Sequence, residues 1–240
     1  MKIVDFRVSY GFSPKKVIKA DLDYVLQLLE RTGVTCALLH SLKGMHYDPM
    51  EGNNDCVEAC RTRSTDSLRL IPVGTFNPLE GIERCSEVIQ KGLNSGIRFW
   101  RLYPKEQNWT SDHPVFKLLI PVLSSNRCII AIDSTPAEIE RIAILAGSDC
   151  PVVTSLHYYD SADWCLRLSE LKNVFPTARL LHGPGSFSYA MKYFPGRIVF
   201  ESDAPFGAPS SVIGLINPQH LDDVCLRNAD ALLRRLGFDC

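Results

Sequence analysis

The amino-acid sequence predicts an α/β fold, a single (β/α)8 TIM-type barrel over residues 1–240. Short apolar segments rich in β-branched residues alternate with longer segments of helical spacing. Eight such pairs leave about 30 residues for each unit, roughly the size of one strand with its crossover helix. No Gly/Ser-rich linker or shift of composition divides the chain, so we expect one domain. A doubly wound open sheet is the alternative.

The predicted strands are apolar on both faces, which is typical of a parallel sheet covered by helices. Each is followed by Gly, Pro, Asn, Asp or Ser, residues that favour turns. The strands are predicted at Ile3–Val8, Val34–His40, Leu68–Thr75, Ile97–Leu102, Cys128–Asp133, Val152–His157, Ala178–His182 and Ile198–Glu201.

Between the strands, apolar residues recur at helical spacing. Helices are predicted near 21–31, 53–65, 80–94, 114–125, 136–147, 162–172, 186–194 and 219–236. In the fifth of them, Ile139, Ile142 and Ala146 fall on one stripe. Its start is predicted from Ser134 or Thr135 as the cap and from Pro136 in the first turn.

Composition excludes several classes of protein. With 26 basic and 27 acidic residues, the chain has no basic excess to neutralise phosphates, so we expect no nucleic-acid partner. No apolar run is long enough to cross a membrane, and charges near Met1 interrupt the apolar core that a signal peptide needs. We therefore expect no membrane partner and a cytoplasmic location. The nine cysteines are predicted to be free thiols.

Polar side chains collect where the predicted strands end, which is where barrel enzymes carry their chemistry. The set comprises Arg7, Ser9, His40, Thr75, Asn77, Arg101, Tyr103, Asp133, His157, His182, Ser202 and Asp203. A lone rim histidine is often a hydrogen-bonded structural residue. Ionisable side chains occur together at this rim, and this favours a site, because buried charges are costly unless they are paired. They are Arg7, Arg101, Asp133, His157 and Asp203.

Five segments, in order along nearly the whole chain, carry a family resemblance. They are Ile3–Gly11, Leu70–Pro78, Gly96–Pro104, Val199–Phe206 and Asn228–Leu233. On these segments the chain resembles the amidohydrolase-related (amidohydrolase 2) family of the metal-dependent hydrolase superfamily. That family includes decarboxylases and hydrolases of small aromatic and carboxylic acids. The resemblance implies a similar barrel and commonly an association into homo-oligomers.

The resemblance also implies a divalent metal, held by two strand-one histidines, a strand-five histidine and a strand-eight aspartate. Asp203 matches the aspartate, but Arg7 and Ser9 stand at the strand-one positions and Asp133 stands near the strand-five position. His157 matches a strand-six histidine, and His182 is an alternative match. If a metal binds, the resemblance leaves only Asp133, His157 and Asp203 as its ligands.

Arg7 decides the expectation about metal, because a guanidinium group has no lone pair and stays charged. It would repel a dication by about 7 kcal/mol at about 5 Å in an effective dielectric of about 20. We therefore expect no metal and no other cofactor, and a metal site that is largely lost. Arg7 is expected to pair with Asp203 and also with Asp133.

The resemblance implies a hydrolase or lyase of a small carboxylate-bearing substrate at the C-terminal rim. His157 is the predicted base, and Asp203 would orient it or the attacking water. The predicted substrate contacts are Arg7, Arg101, Tyr103 and His182, with a small anionic molecule as the partner. The alternative is a non-catalytic barrel, a pseudoenzyme that binds a small anion or a protein.

Overall fold

The computed structural model describes residues 2–15, 18 and 20–238. Within these residues, seven parallel strands form one curled sheet, and each strand pairs with the next along the chain. The strands are β1 (Val4–Tyr10), β2 (Cys36–Ser41), β3 (Arg69–Gly74), β4 (Phe99–Leu102), β5 (Ile129–Ile132), β6 (Val152–Ser155) and β7 (Val174–Thr177). All seven carboxyl ends therefore meet at one end of the sheet, which we call the mouth.

The predicted eighth strand, Ile198–Glu201, is not a regular strand in the described part of the chain. Its segment nevertheless lies between the two edge strands of the sheet. An isolated parallel bridge joins Val199 to Thr177 of β7, and a second joins Ala204 to Val8 of β1. The architecture is barrel-like, with irregular backbone where the eighth strand was expected.

A buried carboxylate replaces part of the missing strand ladder. The backbone N–H of Ser202 donates to Oδ1 of Asp5 at 3.0 Å, and the Ser202 hydroxyl donates to Oδ2. The same Oδ1 accepts from the N–H of Arg7 at 3.1 Å, where the pairing register of β1 shifts. Asp203 then takes a φ of +62°, so the chain leaves the extended conformation at that residue.

The seventh strand was predicted at Ala178–His182, and that prediction is wrong. β7 ends at Thr177, and the predicted segment forms a turn instead. Pro176 lies inside β7, where a proline usually argues against a strand because it lacks an N–H. Its carbonyl accepts from the N–H of Val199 at 2.9 Å. This correction places Arg179, rather than His182, just beyond the strand end.

Seven of the predicted helices are found near their predicted positions, and the eighth is divided into short pieces. The α-helices are α1 (Leu22–Arg31), α2 (Leu42–His46), α3 (Pro49–Arg63), α4 (Ile82–Asn94), α5 (Pro104–Gln107), α6 (Pro114–Ser125), α7 (Pro136–Ala146), α8 (Ser161–Leu168), α9 (Ser186–Tyr193), α10 (Pro209–Ile213) and α11 (Asn228–Arg234). A π-helix, Asp223–Arg227, precedes α11. α7 begins as predicted, with Thr135 as the cap and Glu138 completing a capping box.

The core has two parts, one on each face of the curled sheet. The outer part lies between the strands and the helices around them. The inner part fills the interior and includes Phe6, Leu38, Val73, Phe99, Ala131, Val153, Phe175 and Val199. α11 packs Ala229, Leu232 and Leu233 against this inner part. The eight described cysteines are buried and free. None of the described helices is both long and apolar enough to pass through a bilayer.

Candidate functional site

The mouth is polar because the interior side chains change character at one level of the sheet. Side chains alternate along a strand, so the residue two positions beyond an interior apolar residue lies on the same face. Leu38 is followed in this way by His40, Phe99 by Arg101, and Val199 by Glu201. The polar layer formed by this rule comprises His40, Thr75, Arg101, Asp133, Ser155, Thr177 and Glu201.

Arg7 joins this layer through the irregular register of β1. Its Nη1 lies 2.6 Å from Oδ2 of Asp133 and 3.4 Å from Oε1 of Glu201. Its Nε lies 2.7 Å from Oδ1 of Asp203. The ion pairs predicted for Arg7 with Asp133 and Asp203 are thus present. One guanidinium group lies between three carboxylates.

Two further arginines complete the arrangement. Arg101 places Nη2 3.0 Å from Oε2 of Glu201 and 3.3 Å from the carbonyl oxygen of Phe6. Arg179 places Nε 2.9 Å from Oε1 of Glu201. Its other nitrogens lie 3.6 Å from Oδ2 of Asp203 and 3.7 Å from Oδ2 of Asp133. We call Arg7, Arg101, Arg179, Asp133, Glu201 and Asp203 the arginine–carboxylate cluster.

Ser155 of β6 supports two carboxylates of this cluster, and Thr177 of β7 supports Ser155. The Ser155 hydroxyl donates to Oε1 of Glu201 at 2.9 Å, and its backbone N–H donates to Oδ1 of Asp133 at 2.9 Å. The Thr177 hydroxyl donates to the Ser155 oxygen at 3.3 Å. Each of the two carboxylates therefore accepts hydrogen bonds from neutral donors as well as from arginines.

The charges of the cluster are mutually stabilised. Burial alone would raise the pKa of Asp133, but Arg7, Arg101 and Arg179 outweigh it and hold that pKa well below its usual range. The pKa of Glu201 is also lowered, because Arg101, Arg179 and Arg7 together outweigh its complete burial. Counted formally, the three carboxylates of the cluster match its three guanidinium groups, so the cluster has no net formal charge.

A cavity of about 130 Å³ opens beside Arg7 and Asp203; we call it the mouth cavity. It is lined by Arg7, Ser9, Ser13, Lys15, His40, Leu42, Met45, His46, Tyr103, Glu106, Asp203 and Phe206. Four buried polar atoms in this lining have no hydrogen bond among the described residues. They are Nε of Arg7, which is ion-paired with Asp203, Nε2 of His40, Nε2 of His46 and the hydroxyl of Tyr103. Buried polar atoms are costly to leave unpaired, so these atoms are available to water or to a bound molecule.

His40 and Tyr103 lie close together in the lining, and burial determines the protonation state of each. Nδ1 of His40 lies 3.4 Å from the Ser9 hydroxyl oxygen, and its ring lies 5.4 Å from that of Tyr103. Burial, together with the charges of Arg101 and Arg7, lowers the pKa of His40 well below its usual value, so the imidazole is neutral. Burial raises the pKa of Tyr103, so its phenol keeps its proton and remains a donor.

The structure does not bring all predicted site residues together. Arg7, Arg101, Asp133 and Asp203 lie in one cluster, and Tyr103 borders it. His157 and His182 are exposed and do not line the mouth cavity. His182 instead packs edge-on against Tyr158, with ring centroids 4.8 Å apart. Their predicted catalytic and binding roles remain predictions.

Glu201 and Arg179 were missed as site residues. Glu201 was placed inside a strand, although counting two positions from the interior Val199 would have identified it. Arg179 was hidden by the misplaced seventh strand. Counting forward from Phe175 to Thr177 and then to Arg179 would have found it. Both residues follow from the alternation of side chains along a strand, if the count is continued beyond the last apolar interior residue.

The three predicted metal ligands, Asp133, His157 and Asp203, do not form a metal-binding group among the described residues. Two of these predicted ligands, Asp133 and Asp203, are bridged by the guanidinium group of Arg7. The third ligand candidate, His157, lies outside the cavity. Within the described ranges, no group of three His, Cys, Asp or Glu side chains has a metal-binding arrangement.

Comparison with known proteins identifies the fold. No protein-family model and no curated protein matches the sequence. Solved structures do match: an uncharacterized TIM-barrel protein from Bordetella bronchiseptica has a TM-score of 0.77 at 15% identity, covering 99% of this chain and 100% of that one. A 2,6-dihydroxybenzoate decarboxylase from Rhizobium has a TM-score of 0.72 at 12% identity, with 97% and 98% covered.

A putative 2-pyrone-4,6-dicarboxylic acid hydrolase from Pseudomonas putida has a TM-score of 0.71 at 15% identity, with 97% of each chain covered. A structure named amidohydrolase II and that of a putative amidohydrolase from Staphylococcus aureus also match over nearly the whole chain. The similar structures thus include a decarboxylase and a hydrolase named for small carboxylates. At these identities the likeness establishes a TIM-barrel-like fold. The activity has to be argued from the residues of the site.

Proposed function

We propose that this chain takes a small carboxylate-bearing molecule into the mouth cavity and acts on it as a hydrolase or lyase without a divalent metal. One observation carries the proposal. Beside Arg7, the cavity holds a buried neutral imidazole and a buried phenol whose outer polar atoms have no partner among the described residues. Such convergent polar groups in a concave site are what a small polar ligand needs.

Each of these groups has a chemical role. The phenol of Tyr103 donates a hydrogen bond to the substrate carboxylate or to an oxyanion that develops from it. The neutral imidazole of His40 accepts a hydrogen bond or a proton at Nε2 in the tautomer that protonates Nδ1, and burial, Arg101 and Arg7 make it a weak base. Leu42, Met45 and Phe206 supply apolar walls around the remainder of the substrate.

Arg7 takes the electrostatic place of a metal in this proposal. It is a permanent cation at the wall of the cavity, and the carboxylates of Asp133 and Asp203 hold it there. Asp203 then acts as a positioning residue for Arg7 rather than as a base. The predicted role of His157 as the base is not tested, and the geometry gives stronger support to His40.

Calorimetric titration of the purified protein with benzoate and malonate, together with elemental analysis, tests the proposal. We expect one carboxylate site and less than a tenth of an equivalent of zinc, manganese or iron. Tyr103→Phe should weaken binding about 10- to 100-fold, the range of one hydrogen bond to a charged group. Tyr159→Phe is the matched control, because Tyr159 is 78% exposed and lies outside the cavity.

Two results would overturn the proposal. Near-stoichiometric metal, with Arg7 displaced from its carboxylates, would refute the metal-free site. Equal affinity of the Tyr103→Phe variant and wild type would place the carboxylate elsewhere. Turnover of esters, lactones and aromatic acids, followed by chromatography, then distinguishes an enzyme from a binding protein.

A non-catalytic barrel that binds a small anion is the second candidate. The observation in its favour is that Asp133, Glu201 and Asp203 are all paired with arginines. No carboxylate of the cluster is left to orient a water molecule or to raise the basicity of His40. Carboxylate binding without any turnover, and with the same dependence on Tyr103, would favour this candidate.

A further inference from the structure

A second cleft lies at the end of the sheet opposite the mouth, at the amino ends of β4 and β5. It has a volume of about 440 Å³ and is lined by Arg98, Ser125, Asn126, Arg127, Arg235, Leu236 and Gly237. We call it the basal cleft. It is separate from the mouth cavity and has no part in the function proposed above.

The basal cleft carries three arginines and no carboxylate in its described lining. The guanidinium group of Arg98 is half-buried, and its Nη1 donates to the carbonyls of Leu93 and Ile97 at 2.8 and 2.9 Å. These partners hold the group in place without neutralising its charge. The mouth is the opposite case, because there three arginines are matched by three carboxylates.

A neighbouring cleft extends the positive field. It shares Arg235 with the basal cleft and adds Lys172 and Arg197, again without a carboxylate in its described lining. Arg197 donates from Nη1 and Nη2 to backbone carbonyls of Leu171 and Ser169, at 2.7 and 2.8 Å. The chain as a whole has a net charge of -1, so this concentration of cations is a local feature.

The backbone at Arg127 gives an independent reason to expect a function. Three helices, α1, α4 and α6, pass into the following strand through the same turn. In each, a residue of positive φ donates to the carbonyl three positions back: Gly33 to Glu30, Gly96 to Leu93, and Arg127 to Ser124. The next N–H in each turn donates five positions back. Two of the turns use glycine, and the third uses arginine.

An arginine at this position of the turn is unfavourable for the fold. A positive φ is strained for a residue with a Cβ and free of strain for glycine. Around Gly33 and Gly96 the space for a Cβ is open, so the conformation alone explains the glycines. Arg127, with a φ of 53°, is therefore locally strained. Strain of this kind is common at functional sites, so we infer a function for the Arg127 side chain.

We propose that the basal cleft binds a phosphate-bearing small molecule through Arg98, Arg127 and Arg235. Three guanidinium groups with no carboxylate among the described residues of the lining favour a ligand of more than one negative charge. The planar fork of arginine matches two oxygens of a phosphate group. The bound phosphate compensates both the repulsion among the arginines and the strain at Arg127.

Titration with pyrophosphate and with inorganic phosphate at low and at moderate salt tests the proposal. We expect wild type to bind pyrophosphate with an affinity that falls as salt rises. Arg127→Gly should weaken binding at least tenfold while raising the melting temperature, because glycine relieves the strain. Arg235→Ala should weaken binding by a similar factor. Arg31→Ala is the control, since Arg31 lies in the last turn of α1, outside the cleft.

Several outcomes would overturn the proposal. One is that wild type fails to bind pyrophosphate at low salt. The others are that Arg127→Gly binds it as tightly as wild type does, or that Arg31→Ala weakens binding as much as Arg127→Gly does. Malonate and sulfate serve as competitors, and equal affinity for them would make the cleft a general dianion site and refute its assignment to phosphate. Benzoate binding at the mouth should be unchanged in Arg127→Gly, so failure here is distinguishable from failure of the proposed function.

Discussion

Arg101 and Glu201 form an ion pair inside the barrel, with Nη2 of the arginine 3.0 Å from Oε2 of the carboxylate. Both side chains are almost completely inaccessible to solvent. Glu201 also contacts Arg179 at 2.9 Å, Arg7 at 3.4 Å and the Ser155 hydroxyl at 2.9 Å. This carboxylate therefore contacts all three arginines of the cluster, and the arginines depend on it for charge balance.

Replacing Glu201 with Gln should destabilise the protein severely. The amide keeps the shape but leaves the arginines with a charge excess in a buried site, and breaking a buried pair costs about 3–5 kcal/mol. Urea denaturation followed by fluorescence measures the free energy of unfolding. Glu58→Gln is the matched control, because Glu58 forms an exposed pair with Arg61 and should change stability by less than about 1 kcal/mol. Equal effects of the two variants would contradict the importance assigned to Glu201.

Arg7→Ala should also destabilise the protein, by about 3 kcal/mol, because it leaves Asp133 and Asp203 short of a cation. The stability of Arg7→Lys should lie between those of Arg7→Ala and wild type. An ammonium group keeps the charge but lacks the fork that reaches both carboxylates. Thermal denaturation of the three proteins in one buffer gives the order. Unchanged melting of Arg7→Ala would show that the predicted ion pairs contribute nothing.

The helices and the apolar strands could be predicted because their signals are local. α7, for example, is specified by an apolar stripe and by the cap at Thr135, which lie within a dozen residues of each other. Strand β7 contradicts its local signal, because Pro176 lies in the middle of it and is held by pairing with distant residues. Tertiary pairing outweighed propensity there.

The site could be predicted only in part, for a related reason. Asp133 stands just beyond β5, close to where the sequence predicted that strand to end. Arg7 lies within β1, and Asp203 follows a segment that is not a regular strand. Arg179 depended on the register of β7, and Glu201 on a segment whose ladder is replaced by the side chain of Asp5. The exposed positions of His157 and His182 depend on the loops after β6 and β7, which have no periodic signal.

Stability should depend on pH through Asp5. Burial raises its pKa to about 7, against the lowering effect of hydrogen bonds from Ser202 and Arg7. Between about pH 4 and pH 7 the folded chain keeps a proton that the unfolded chain has released. The free energy of unfolding should therefore fall as pH rises through this window, by on the order of 4 kcal/mol, and level off above it.

Asp133 and Glu201 act in the opposite direction and at lower pH. Their pKa values are lowered in the folded state, so their contribution is present above about pH 4 and is lost as pH falls further. Asp5→Asn retains the acceptor oxygen. It should flatten the pH dependence of the free energy of unfolding between pH 4 and 7 and leave the loss of stability below pH 4 unchanged. Urea titrations at each pH measure both. An unchanged slope in Asp5→Asn would assign it to another group.

The close approach of α2 and α3 gives the last prediction. An added Cβ at Gly52 of α3 would lie 2.1 Å from the backbone N and 2.3 Å from the Cα of Gly44 in α2, so the helices would have to separate. α2 supplies Met45 and His46 to the mouth cavity. Gly52→Ala should therefore cost about 3 kcal/mol of stability, as overpacking does, and also weaken carboxylate binding.

Gly214→Ala separates this close contact from the general effect of an added methyl group. At Gly214 the nearest atoms to an added Cβ lie 3.5 Å away, which is ordinary van der Waals contact. We expect this control to change stability by less than about 1 kcal/mol and to bind benzoate as wild type does. Calorimetry on both variants provides the comparison. If Gly52→Ala lost stability but bound benzoate with wild-type affinity, α2 would not shape the cavity, and the ligand would depend on the strand ends alone.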